Sequence, residues 1–148
     1  MRSLRLSRSW LLCTLLTSLL LATVGASARN GRDFTGYYSL SGVQEQGELV
    51  QVTLHLRLFN HSNSDMKSVV VTLLDSAPAL RFYGNFQPVK VWKKQQFIEM
   101  SQEFTVTKLE FKQWLQAPAQ PNLVILFQDS TGKNWQEGAQ ISRRELAE

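Results

Sequence analysis

The chain has 148 residues, 43% hydrophobic and 19% charged, with 16 Lys and Arg against 12 Asp and Glu and a single cysteine. That length suits one domain, which can bury roughly two-thirds of its unfolded surface without a covalent staple. One cysteine excludes an internal disulfide framework.

The chain begins with Arg2, Arg5 and Arg8, then an apolar run from Trp10 to Leu21, then Ala26-Ser27-Ala28. The run is too short to span a bilayer with margin. A positive n-region, a short apolar segment and a small-x-small site together read as a secretory signal peptide over residues 1–28, with an uncleaved anchor as the competing reading. Cys13 follows Trp10-Leu11-Leu12, which lacks the small residues of a lipoprotein site. Cleavage leaves 120 residues, 29–148, and removes three arginines, so 13 basic residues face 12 acidic ones. A near-neutral product has no general field for nucleic acid or anionic lipid. The expected location is secreted or periplasmic, with no stable membrane insertion after cleavage.

Phe34 to Leu40 suits a first strand, bent at Gly36, and Gly42 to Gln46 with Gly47 reads as a polar turn. Val50, Val52, Leu54, Leu56 and Leu58 then alternate with Gln51, Thr53, His55 and Arg57. Period two puts the apolar set on one face of a strand. After a polar loop from Asn60 to Asp65 comes Val69 to Leu74, apolar on both faces, as in a strand covered on both sides or crossing a sandwich centre. The two strands either form a hairpin or cross between sheets. Leu80 to Tyr83 and Phe86 to Trp92 are two further strands, with Pro88 confining the second to an edge or a strand start. Lys93-Lys94-Gln95 turns the chain. Phe97 to Val106 has alternating apolar residues and an irregular, bulged middle at Ser101-Gln102-Glu103.

Thr107-Lys108-Leu109-Glu110 is a capping box, with Val106 and Phe111 at the positions of a hydrophobic staple. Phe111, Trp114 and Leu115 make one apolar face of a short helix over residues 108–116, ended before Pro118. Leu123 to Phe127 is an apolar strand, Asp129 to Lys133 a hairpin turn around Gly132, and Asn134 to Ile141 a last strand containing Trp135. Arg143 to Glu148 reads as a frayed tail. Seven or so strands with turn signals every 8–12 residues predict an all-β, antiparallel β-sandwich with one short helix.

The run VTLHLRLFNHSNSDMKSVVVTLLDS, an alternating strand, an Asn-containing loop and a valine-rich strand ending in Asp, resembles small exported immunoglobulin-like modules of the FxLYD type. The resemblance covers about a fifth of residues 29–148 and implies an immunoglobulin-like sandwich with no catalytic residues. The Cys-Trp-Cys spacing of antibody domains is absent.

The chemistry-bearing residues are few. His55 and His61 are the only histidines, with no metal-ligand spacing, so neither a metal nor a cofactor is expected. No nucleophile elbow is present, and no enzymatic activity is expected. The alternating oxygens of Asn60, Ser62, Ser64 and Asp65 supply too few carboxylates for calcium. Asn60-His61-Ser62 is an N-x-S acceptor, which makes Asn60 a glycosylation candidate in a eukaryotic source. Lys90 to Lys94 mixes basic and aromatic residues, read as an edge strand guarded by lysine. Phe82, Tyr83, Phe86 and Trp92, with Phe97 nearby and with Lys93 and Lys94, form the candidate partner-binding surface. These features predict a non-enzymatic module for protein–protein interaction or assembly. The alternative is a small-ligand or carbohydrate carrier with a pocket beside Trp114 and Phe111.

Overall fold

The computed structural model describes residues 27–28, 33–76, 78 and 80–145. The charged and apolar parts of the proposed leader, including Cys13, lie outside the described residues, as do residues 29–32 of the lead-in and 146–148 of the tail. The chain is mostly β, with one short helix and two sheets.

In the first sheet, Ser27–Ala28 (β1) pairs in parallel with Asn134–Gly138 (β9), which pairs with Asn122–Gln128 (β8) and through it with Met66–Leu74 (β4). Phe82–Asn85 (β5) and Val89–Trp92 (β6) lie in succession along the other side of β4. The second sheet orders Gln140–Arg143 (β10), Phe34–Gln46 (β2), Leu49–Asn60 (β3) and Phe97–Thr107 (β7). β10 joins β2 in parallel, so each sheet is mixed where antiparallel pairing throughout was expected.

The period-two pattern of β3 is realised residue by residue. Val50, Val52, Leu54, Leu56 and Leu58 are buried, and their polar neighbours turn outward. In β4, Val69, Val71 and Leu73 are buried on the matching face of the other sheet. β3 and β4 therefore do not form a hairpin; the polar loop carries the chain from one sheet to the other. A single core lies between the sheets. Phe34 of β2 stacks on Trp92 of β6 at 5.0 Å between centroids and meets Phe127 of β8 edge-on at 5.5 Å. Phe86 meets Phe104 of β7 at 5.1 Å. Fully burying such side chains contributes about 1.5–3 kcal/mol each.

Four other expectations are corrected. β2 runs on to Gln46 and returns to β3 through a two-residue turn at Gly47, with the register shifting between Ser41 and Gln44; Gly42 there adopts a left-handed φ of 61°. β7 keeps one unbroken register against β3, with no bulge at Ser101-Gln102-Glu103. The last predicted strand is two strands, because the chain leaves the first sheet after Gly138 and joins the second at Gln140. The helix (α1) is Lys108–Trp114, and only half its capping box forms. The Thr107 hydroxyl accepts from the Glu110 N–H at 3.2 Å, but the Glu110 carboxylate turns inward.

Candidate functional site

The structure divides the aromatic group picked from sequence. Phe86 and Trp92 are each 1% exposed, so their rings belong to the core and are withdrawn from any partner surface. The Trp92 indole N–H donates to the Gln96 carbonyl at 3.0 Å. Phe82 is 64% exposed, Lys93 and Lys94 are exposed, and Tyr83 is half-buried. The division has a local cause. β6 begins after Pro88 and turns Trp92 inward opposite Met66, while β5 turns Phe82 away from the core.

Asn60 is corrected more sharply. It is fully buried, and its Nδ2 donates to the carbonyls of Ser64, Trp92 and Lys93. Its Oδ1 accepts from the Ser62 N–H at 3.0 Å and the Ser62 hydroxyl at 2.6 Å. A glycan on Nδ2 is incompatible with this packing. The neighbouring loop oxygens are engaged too: the Ser62 hydroxyl donates to the Ser64 carbonyl, and Asp65 accepts from the Lys94 N–H. Among the described residues no group of three or more His, Cys, Asp or Glu side chains converges as a metal site.

The two rings that the alternative pocket would need are also buried. Trp114 is 1% exposed and Phe111 is buried. The Trp114 indole N–H donates to Glu110 Oε1 at 3.0 Å, and the Tyr38 hydroxyl donates to the Trp114 carbonyl at 2.6 Å. Glu110 also accepts from the Ser76 hydroxyl at 2.9 Å. Burial pushes the Glu110 carboxyl up, the neighbouring Asp75 adds to the rise, and the bonds from Ser76 and Trp114 oppose it. A groove of about 440 Å³ borders this cluster, lined in part by Asp75, Ser76 and Glu110 together with Leu49, Arg81 and Leu109.

The open surface is the outward face of the four-stranded sheet, together with the edge of β7. Outward side chains of β3 and β7 meet in pairs. Phe59 packs on Phe97 at 4.6 Å, and Arg57 contacts Glu99 at 3.3 Å while lying over the Phe97 ring. His55 Nδ1 bonds Ser101 Oγ at 2.7 Å, and Gln51 donates to Glu103 at 2.6 Å. His55 Nε2 reaches Ser41 of β2 at 2.6 Å. With a hydroxyl on each nitrogen and no carboxylate on either, this imidazole ties three strands together and lacks the orienting acid of a catalytic triad. Tyr37 and Phe97 are about half exposed here. Tyr37 borders grooves of about 420 and 620 Å³, and Phe97 borders the second of them.

β7 pairs with β3 on one side and, among the described residues, with no strand on the other. Asn60 N–H bonds the Gln96 carbonyl, and Lys108 N–H bonds the Glu48 carbonyl, at the two ends of the β3–β7 register. Hydrogen-bonded pairs recur at every second residue of an antiparallel ladder. The even-numbered residues of β7 therefore bond β3, and the odd-numbered ones from Phe97 to Thr105 aim their N–H and C=O groups at the open side, with the Thr107 N–H, while the Thr107 carbonyl serves the first turn of α1. Among the described residues the other edge strands are short: β1 has two residues and β5, β6 and β10 have four each, whereas β7 has eleven. β6 is also guarded by Lys90 and the preceding Pro88, the usual devices against strand addition, whereas β7 contains neither Lys nor Pro. Of the aromatic group picked from sequence, Phe86 and Trp92 are core, and the open edge of β7 was not among the sequence candidates. The usable signal was the length of the Phe97–Thr107 run without Pro or Gly.

Among the described residues no helix is long and apolar enough to cross a membrane. No protein-family model matches the chain and no curated protein is significantly similar to it, so the resemblance around residues 52–76 rests on strand grammar alone.

Proposed function

We propose that this chain is an exported, non-enzymatic assembly module of immunoglobulin-like sandwich build that binds a protein partner by accepting a strand at the edge of β7. The observation that carries the reading is the eleven-residue edge whose odd-numbered backbone groups face no strand of the described chain. Strand addition draws affinity from main-chain hydrogen bonds and selectivity from alternate side chains. Here those side chains are Phe97, Glu99, Ser101, Glu103 and Thr105 on one face and the half-covered Ile98 and Met100 on the other. Export is supported by the arginine-flanked apolar leader, and the sandwich build by the core shared between two sheets.

The test is affinity capture from the exported fraction of the source cells with wild-type protein and with Ser101→Pro, which removes an outward N–H and leaves the β3 ladder bonded. Every specific partner should be lost from the variant and kept by Lys93→Ala/Lys94→Ala. Retention of all partners by Ser101→Pro sinks the reading.

A carbohydrate carrier is the second reading, supported by the exposed rings of Tyr37 and Phe97 beside the two outward grooves. Saccharide titration followed by NMR should then shift Tyr37 and Phe97 resonances. No shift at millimolar sugar rejects it.

A further inference from the structure

We propose that the occupant of the β7 edge is a second copy of this chain, paired antiparallel about a two-fold axis through Gln102. The proposal rests on β7 being an open edge and adds the identity of the strand that fills it.

The backbone sets the first condition. Open N–H and C=O groups belong to odd-numbered residues, so odd must face odd. A two-fold axis gives a closed, self-complementary contact, whereas a parallel arrangement of the same edges would not close. Centring the axis on Gln102 sets Phe97 opposite Thr107, Glu99 opposite Thr105 and Ser101 opposite Glu103. All eleven residues of β7 are then matched; Glu99, Ser101, Glu103 and Thr105 each donate one bond and accept one, and the Thr107 N–H donates to the Phe97 carbonyl, about ten bonds across the interface, because the Thr107 carbonyl is used by the first turn of α1.

The side chains set the second condition. On the inner face this register sets Ile98 opposite Val106 and Met100 opposite Phe104, covering two residues that the monomer leaves half-exposed. On the outer face no acid stands opposite an acid. Moving the centre to Ser101 would oppose Glu99 to Glu103 twice, and moving it to Glu103 would oppose that residue to itself. Both acids already have partners within the chain, Arg57 for Glu99 and Gln51 for Glu103. The remaining like-charge contacts are diagonal, at about 7–8 Å: the two Glu103 side chains with each other, and Glu99 of each copy with Glu103 of the other.

Light scattering behind size exclusion, on the full exported chain, reads the outcome. The expected result is a dimer at micromolar concentration that tightens with added salt and with Glu103→Gln. Ser101→Pro and Thr105→Pro, checked for retained β circular dichroism, should each weaken it at least tenfold. Gln102 pairs with itself at a non-hydrogen-bonded position, where Cα atoms lie about 4.5 Å apart, within disulfide reach. Gln102→Cys should therefore form a disulfide-linked dimer without reductant. The wild type, which holds no cysteine over residues 29–148, is the control. A monomer at 100 μM-scale concentration with no Gln102→Cys crosslink overturns the second-copy assignment. Amide exchange separates the two levels of the argument. In that monomer, fast exchange at odd residues of β7 with slow exchange at even ones leaves the open edge standing for another partner, and equal protection of both removes the edge itself.

Discussion

Replacing Asn60 tests whether the loop between the sheets is held by one buried amide. Asn60→Ala leaves the buried Ser62 N–H without its acceptor and takes a donor from the Trp92 carbonyl, while the Ser62 hydroxyl turns to the Ser64 carbonyl. At about 1–3 kcal/mol for a buried group left unsatisfied, the loss is about 1–3 kcal/mol. With a urea slope of about 1.5 kcal/mol/M, the unfolding midpoint should fall by roughly 0.7–2 M. Asn60→Asp sharpens the test because it keeps shape and volume. Its second oxygen replaces a donor that faces three carbonyls, so at pH 7 it should lose more stability than Ala. Lowering the pH restores a donor and should recover part of the loss. The reasoning fails if Asn60→Ala unfolds within 0.5 kcal/mol of wild type, or if Asn60→Asp matches wild type at pH 7.

Three more outcomes follow from the same packing. Trp92→Ala should lose about 3–5 kcal/mol in denaturant unfolding. Phe82→Ala, though also an aromatic truncation, should stay within about 0.5 kcal/mol, and equal losses would refute the division between core and surface. Gly36→Ala builds a Cβ that meets the Arg57 carbonyl oxygen at 2.1 Å, so β2 and β3 must part; a melting temperature unchanged from wild type would show that this close approach is relaxed in solution. Glu110 has a raised folded pKa, so its protonated form is favoured by folding. Its contribution is greatest below the unfolded Glu range near about 4.3 and declines as pH rises through the raised value. Glu110→Gln keeps an acceptor for Trp114 and Ser76, and urea midpoints at pH 4, 6 and 8 should vary less in the variant than in the wild type.

What could be read from the sequence was whatever the core imprints with a period. β3 is legible because one face is wholly buried, and β8 because apolar residues fill it. The C-terminal half of β2 was taken for a turn because Gly42 to Gln46 are all exposed: the hairpin there projects beyond the core, and no burial selects apolar side chains. The polar middle of β7 looked irregular for a related reason. At a sheet edge even the inward Gln102 reaches water, so alternation fades while the backbone ladder continues. The capping box was half right because Glu110 had a competing use, the buried indole N–H of Trp114, which local spacing does not reveal. The sheet switch at Ala139 and the inward turn of Trp92 depend on which sheet receives each strand, and that is decided by contacts distant along the chain.

The same layout explains why β7 can stay in register with only one neighbouring strand. An edge strand loses half the hydrogen bonds of a central one, and ordering each residue's backbone costs roughly 1–2 kcal/mol. Along β7, four of the outward side chains are tied to β3 by different chemistries: ring packing at Phe97, an ion pair at Glu99, an imidazole–hydroxyl bond at Ser101 and an amide–carboxylate bond at Glu103. Each cross-strand tie contributes only about 0.2–1 kcal/mol, but all act on the odd-numbered residues, the ones whose backbone groups face outward. The set therefore holds the exposed donors and acceptors in one line before anything meets them. A strand that docks there need order only itself, and this is the physical advantage of a preformed edge over a loop that folds on contact.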